Sequence, residues 1–281
     1  MIKLFEEKIN FINSFINGDE ITFNVLAERE ITIRVDWKKA NYKKVIVNFS
    51  GSGLVTLLEV GESNNIDVVY NLLDYSKVNH SIASFSCCES NNNYEVNLFE
   101  GSEYRGALAD FSYGKKNFKF VCNLNKQYAK ANWNLASLTT ENDNKTFYVS
   151  FYHHAKHTYA KMENYGVCED QSSLNFFGTS SIERGAKTSA THQSAKIMVF
   201  DEKCKAKASP ILCIDENDVE ASHAAVVGQI NEDHIFYLTS RGIPEDEAKK
   251  LITLGYLNPI LNFFGEESVL EEIKNSIERR F

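Results

Sequence analysis

The sequence predicts a mainly β protein closed by a helical tail, and three observations predict it. Apolar residues alternate with polar ones through most of the chain, no proline precedes Pro210 to break a strand ladder, and after Gly228 the apolar period becomes helical. The 281 residues are 43% hydrophobic and 24% charged, with a net charge of -8. That balance is ordinary for a soluble acidic protein with enough material for a sizeable core. Nucleic-acid binders are normally basic, so nucleic acid is not an expected partner.

At the start, Ile2, Phe5, Ile9, Ile12 and Ile16 recur at helical spacing, which predicts a short helical segment within residues 1–20. Glu6, Glu7 and scattered Asn and Lys deny this stretch the unbroken apolar core of a secretory signal. No run reaches the roughly 18 apolar residues of a membrane span. The expected location is therefore cytoplasmic, with no membrane partner. Six cysteines, Cys87, Cys88, Cys122, Cys168, Cys204 and Cys213, form no CxxC pair and no disulfide framework, so reduced thiols are expected.

From Ile21 the period is two: Ile21, Phe23, Val25, then Ile31, Ile33, Val35, Trp37, then Val45, Val47, Phe49. Short strands of this kind continue to about Gly228, separated by Asn, Ser, Gly and Asp clusters. A β core over 21–228 follows. No clean repeat length is visible, so pattern alone leaves a sandwich, a barrel or a solenoid open.

The tail, 229–281, is legible as helices. Asn231 is a natural N-cap, Glu232 and Asp233 suit a first turn, and Gly242 suits a C′ stop. Pro244 opens a second helix rich in carboxylates at its start, and Pro259 ends or kinks it. A third fits 266–280, with Val269, Leu270, Ile273 and Ile277 as its apolar stripe. This tail is expected to cover a solenoid end and to leave apolar residues over for a partner.

Candidate chemistry is sparse. His153, His154 and His157 have metal-like spacing, but Phe147, Val149 and Phe151 alternate ahead of them, so the run is a strand whose successive side chains face opposite ways. Glu163 does not complete a HExxH motif, and no preformed metal site is expected. Cys87 and Cys88 would likewise point apart. No P-loop motif occurs, so any ATPase must be a partner. His223 sits where strand pattern hands over to helix. Taken alone, a histidine so placed is more often a hydrogen-bonded core residue than a ligand.

The run 222–248, beginning Ser-His-Ala-Ala-Val-Val-Gly and continuing Phe-Tyr-Leu-Thr-Ser-Arg-Gly-Ile, resembles the SufD signature of the SufB/SufD family. His154-Ala155, Tyr165-Gly166-Val167, Phe177-Gly178, Gly185 to Thr188, His192-Gln193 and Ala208 to Leu212 resemble further family landmarks in the right order. The resemblance covers roughly 148–261. It implies a right-handed parallel β-helix with a helical C-terminal domain. It also implies a non-catalytic scaffold subunit for iron-sulfur cluster assembly, pairing with a SufB-like subunit and a SufC-like ABC-type ATPase.

In that family a nascent cluster forms where the last rungs of two solenoids meet, and His223 matches the histidine ligand. The ATPase docks on the helical tail, which places Asp233, Phe236, Tyr237, Arg241, Gly242 and Glu247 in its binding region. No resident cofactor is implied, only a transient cluster in the complex. This sequence departs from the pattern at Ala221, where many members carry cysteine. The alternatives are a structural solenoid with a degenerate site and a homodimer without its own ligand role. A polysaccharide lyase on a β-helix would need clustered Asp, Arg or Lys and is usually secreted.

Overall fold

A computed structural model of the chain describes residues 12–35, 42–61 and 65–281. The elements run β1 (Ile12–Asn17), β2 (Glu20–Leu26), β3 (Ile31–Val35), β4 (Lys44–Ser50), β5 (Leu54–Val60), β6 (Asp67–Leu72), β7 (Lys77–Ser84), β8 (Ser90–Leu98) and β9 (Glu103–Asp110). They continue with β10 (Lys115–Leu124), β11 (Lys130–Thr139), β12 (Asn144–His153), β13 (Tyr159–Cys168), β14 (Ser173–Ile182), β15 (Ser189–Val199), β16 (Lys205–Ile214) and β17 (Val219–Gln229). Helices α1 (Glu232–Thr239) and α2 (Glu245–Leu257), a 3-10 turn (Asn258–Phe263) and α3 (Glu267–Glu278) complete the chain.

From β2 onward, even-numbered strands form one sheet and odd-numbered strands the other, and neighbours within each sheet run parallel. The chain therefore winds as a parallel β-solenoid, each coil adding one strand to each sheet. Inward residues are buried and outward ones partly exposed, as in β14, where alternate positions are closed to solvent. Inward side chains stack on their equivalents in the next coil. Phe118, Phe147 and Phe176 form one such column, with ring centroids 6.2 and 5.7 Å apart.

Where large rings from neighbouring coils converge, glycine makes the room. A Cβ on Gly106 would lie 2.6 Å from the Tyr104 ring and 2.7 Å from that of Trp133, both fully buried. Gly106→Ala is therefore expected to cost about 1–3 kcal/mol through overpacking. Urea unfolding measures it; an unchanged midpoint would mean that the rings shift freely.

The coil length is not constant, which is why no repeat shows in the sequence. Val45 pairs with Val68, 23 residues on, whereas Gly178 pairs with Pro210, 32 residues on. From β6 to β15, the turn from each even-numbered strand to the next odd-numbered one nevertheless passes through a left-handed residue, successively Tyr75, Gly101, Tyr128, His157 and Thr188, with φ between 56° and 64°. Non-glycine residues hold most of these positions, so the usual glycine signal is missing.

The expected N-terminal helix is corrected over 12–17, which form β1, antiparallel to β2 through a two-residue turn at Gly18-Asp19. Gly18, at φ 59°, supplies the positive φ that such a hairpin needs. Residues 1–11, the rest of that prediction, lie outside the described residues. Pairing β1 covers the edge of β2, whereas a helix would only have placed Ile16 and its neighbours on one face. Phe15 and Ile16 remain 64% exposed.

The tail helices appear as the sequence predicts, but they do not cap an end. They lie back along the outside of the odd-numbered sheet. Leu257, Ile260, Phe264, Val269, Ile273 and Ile277 bury against Leu58, Ala83, Ala107, Ala109, Phe111, Ala136, Leu138 and Val167. Small outward residues such as Ala83, Ala107, Ala109 and Ala136 let the helices approach, and β7, β9 and β11 are consequently buried on both faces in their second halves. Polar contacts pin the arrangement. Arg34 pairs with Glu266 at 2.6 Å, and Ser81 Oγ donates to the Phe263 carbonyl at 2.6 Å.

Arg280 fastens the end of the chain. Its buried guanidinium donates to Asp143 Oδ2 at 2.7 Å, to Thr140 Oγ1 and to the carbonyls of Phe111 and Ser112, and it lies 3.8 Å over the Tyr113 ring.

Candidate functional site

The solenoid's two ends differ. At the start, β1 covers the edge of β2 in one sheet. At the far end β16 and β17 are the terminal strands of their sheets, with nothing described pairing to their outer edges. A row of backbone donors and acceptors is left open there, which is a template for another chain.

His223 lies on β17, and its face follows from register. It pairs with Gln193, which is buried on the inward side of β15, so His223 points to the same inward side one rung on. Lacking a further coil above it, it is exposed. Ala221 pairs with buried Thr191 and shares that face, two residues from His223. The same face of β17 carries Val227, and the inward face of β16 carries Ala208, Pro210 and Leu212, all at least partly exposed. An imidazole set in an open apolar rung is thus available to an adjoining surface. Pro210 is tolerated here because β16 is an edge strand.

The outward face differs. His192 accepts or donates through Nδ1 to Ser222 Oγ at 2.8 Å, and its Nε2 is 3.8 Å from Glu220. Beside this rung, α1 follows at once. Asn231 caps it by accepting from the Asp233 amide at 2.9 Å, and Gly242, at φ 87°, turns the chain out of it.

Helix α1 buries none of its residues. Phe236 is 73% exposed, and Arg241 lies 4.4 Å over the ring of exposed Tyr237. Asp233 is exposed on the same helix, and Glu247, exposed on α2, pairs with Lys250 at 3.3 Å. A groove of about 490 Å³ runs between the last rungs and α1 and α2, lined in part by Met198, Val226, Gly228, His234 and Tyr256.

The other candidates separate. His153 is buried, its Nδ1 2.7 Å from Thr158 Oγ1, and burial followed by the nearby His154 pushes its pKa down to about 4. His154 pairs with Glu183 at 2.9 Å, while His157 stacks on Tyr128 in a turn. Among the described residues no group of three or more His, Cys, Asp or Glu is placed to hold a metal ion. Cys87, Cys88 and Cys213 are exposed free thiols, and Cys122 is buried with its pKa raised by burial. No described helix is long and apolar enough to cross a membrane.

A further polar cluster, which the alternation alone did not single out, lies inside the solenoid. Asp110 is fully buried between Lys116 and Lys145. The sequence signal was present but weak: Lys116 and Lys145 stand at inward positions of strands whose other inward residues are Phe, Val, Cys and Leu, with His153 at the end of β12.

Fold and site together define a class: a parallel β-solenoid with one open, histidine-bearing end and a helical tail. Residues 39–256 match the family model of the SUF system FeS cluster assembly SufBD core domain. The chain belongs to this SufBD family. It is 38% identical over 136 residues to the iron-sulfur cluster assembly protein SufD of Bacillus subtilis, covering 48% of this chain and 31% of that protein. A SufBD family iron-sulfur cluster assembly protein of Pyrococcus horikoshii is 37% identical over 93 residues, covering 33% and 21%. One from Mycobacterium tuberculosis strain H37Rv is 29% identical over 119 residues, covering 42% and 14%. The matched segments span less than a third of these relatives' length.

Proposed function

We propose that this chain is a non-catalytic scaffold subunit of cytoplasmic iron-sulfur cluster assembly. It presents His223 at its open end to a SufB-like partner and binds a SufC-like ABC-type ATPase through its tail. The observation that carries the proposal is His223 itself, an exposed imidazole on the inward face of a rung with unpaired edges. Imidazole and thiolate both ligate iron, and a site split between two chains opens when they part. The nascent cluster is cargo, not a resident group. Co-purification of the chain with both partners, and cluster formation only in the complex, is the test; a stable stoichiometric cluster on the isolated chain would contradict it.

The ATPase contact is assigned to α1, whose Phe236 and Tyr237 are both exposed. Changing both to Asp is expected to end co-purification with the ATPase while moving the melting temperature by no more than about 2 °C, since little burial is lost. Retained binding would move the contact to α2 or elsewhere. Truncating the tail is not an equivalent test, because α2 and α3 cover an apolar sheet face.

A second reading is favoured by Ala221. Without the family thiol, the open edge would pair with a second copy of this chain and serve structure alone. Sedimentation of the isolated chain as a dimer of unaltered affinity in His223→Ala would favour it.

A further inference from the structure

Every coil of the solenoid ends one strand, turns and begins the next, so the residues flanking equivalent turns stack one above another. At one turn Ser172, just before β14, reaches down to Thr139 at the end of β11, Oγ to Oγ1 3.0 Å. Thr139 pairs in register with Cys168 at the end of β13, and Ser173 pairs with Lys205, which puts Cys204 directly over Ser172. The amides agree. Ser172 donates to Glu169 and Cys204 to Asp201 in the same turn geometry, and Lys205 donates to the Ser172 carbonyl. One coil up, then, the interacting Ser172 and Thr139 positions are held by Cys204 and Cys168.

The two thiols are thereby neighbours across adjacent coils. Cys168 Sγ also lies 3.2 Å from Ser172 Oγ, and Cys204 Sγ lies 3.7 Å from the Asp170 carbonyl. Cys168 is fully buried, while Cys204 is partly open to solvent. Partners so placed are a protected thiol and an accessible one.

We propose that Cys168 and Cys204 are a redox pair that closes to a disulfide under oxidising conditions and staples the start of β16, in the open rung, to the end of β13. The pairing does not depend on the assembly role. With a peroxide, the accessible Cys204 is oxidised first: its sulfur takes one peroxide oxygen, giving a sulfenic acid and one water. The Cys168 sulfur then attacks the sulfenic sulfur, forming the S–S bond and releasing the second water. Two thiols lose two electrons and two protons, and the peroxide is reduced. Burial pushes the Cys204 thiol up to about 12. Thiolate is therefore scarce near neutral pH and closure is slow, which suits sustained oxidative exposure.

The experiment is to treat the reduced full chain with hydrogen peroxide or diamide, block remaining thiols with N-ethylmaleimide, and map peptides without reductant. A Cys168–Cys204 linked peptide is expected, with the other four cysteines alkylated. Oxidation should also raise the melting temperature by roughly 5 °C. Cys204→Ser, at the partly exposed position, should fold normally and lose both effects. Alkylation of both thiols after treatment, overoxidation of Cys204 without a link, or preferential linkage to Cys87, Cys88 or Cys213 would each overturn the proposal.

Discussion

Replacing His223 by alanine is expected to abolish cluster assembly in the reconstituted complex and to leave the fold of the chain as it was. The two effects separate because His223 is exposed at the last rung and its ring contributes little burial. The stability cost should be about 1 kcal/mol or less, against about 2–5 kcal/mol for a large core side chain. Cluster formation followed by absorbance with both partners present, alongside urea unfolding of the chain alone, measures both. If His223→Ala assembles cluster as well as the parent, the ligand assignment fails.

The choice of control histidine matters. His153 is enclosed in the core, so its truncation should itself destabilise, whereas His192 loses only surface contacts to Ser222, Glu220 and Tyr159. His192→Ala is the better comparison. Ala221→Cys is the converse change. Because 221 and 223 share a face of β17, the restored thiol would sit beside the imidazole and should slow loss of iron from the complex.

Asp110→Ala is expected to destabilise the chain by about 3–5 kcal/mol, the largest effect of any single polar substitution proposed here. The carboxylate accepts from Lys116 Nζ at 2.5 Å and Lys145 Nζ at 2.6 Å, and from Ser84 and Ser112 hydroxyls at 3.1 Å each. Removing it takes the shared counter-charge from two buried ammonium groups, which keep neutral partners such as Ser84 Oγ and the Leu138 carbonyl within hydrogen-bond reach. Burial alone would raise the Asp110 pKa, yet Lys116 and Lys145 hold it well below the ordinary carboxylate range. Burial pushes Lys145 down to about 8, partly offset by Asp110.

The sign of the pH effect follows. A carboxyl whose folded pKa is depressed contributes stability above its unfolded value, about 3.9, and loses it as acid protonates the folded state. Denaturant unfolding near pH 3 and pH 7 should show this loss in the parent and a shallower one in Asp110→Asn. A cost below about 1 kcal/mol for Asp110→Ala would mean that the lysines find other partners.

Much of this protein was legible from its residues. Alternation from Ile21 onward marked strands because an inward position in a two-sheet wall must be apolar at every second residue. The switch after Gly228, with Asn231, Gly242 and Pro244 as punctuation, marked the helices because caps and stops are local chemistry. The run around Ser222 and His223 pointed to the family, and hence to the solenoid that periodicity could not choose.

What sequence alone could not decide were matters of juxtaposition. Coil lengths from 23 to 32 residues hid the repeat, and Tyr, His and Thr in left-handed turns hid its punctuation. The hairpin of β1 won over a helical spacing because pairing an exposed strand edge satisfies backbone groups that a helix there would leave open. Whether the tail capped an end or lay along a wall depended on Ala83, Ala107, Ala109 and Ala136, residues distant in sequence that stack only once the coils are wound. The same stacking brought Cys204 beside Cys168 and joined Asp110 to Lys145. Local pattern determined the elements, while register between coils, which no single coil encodes, decided which side chains meet.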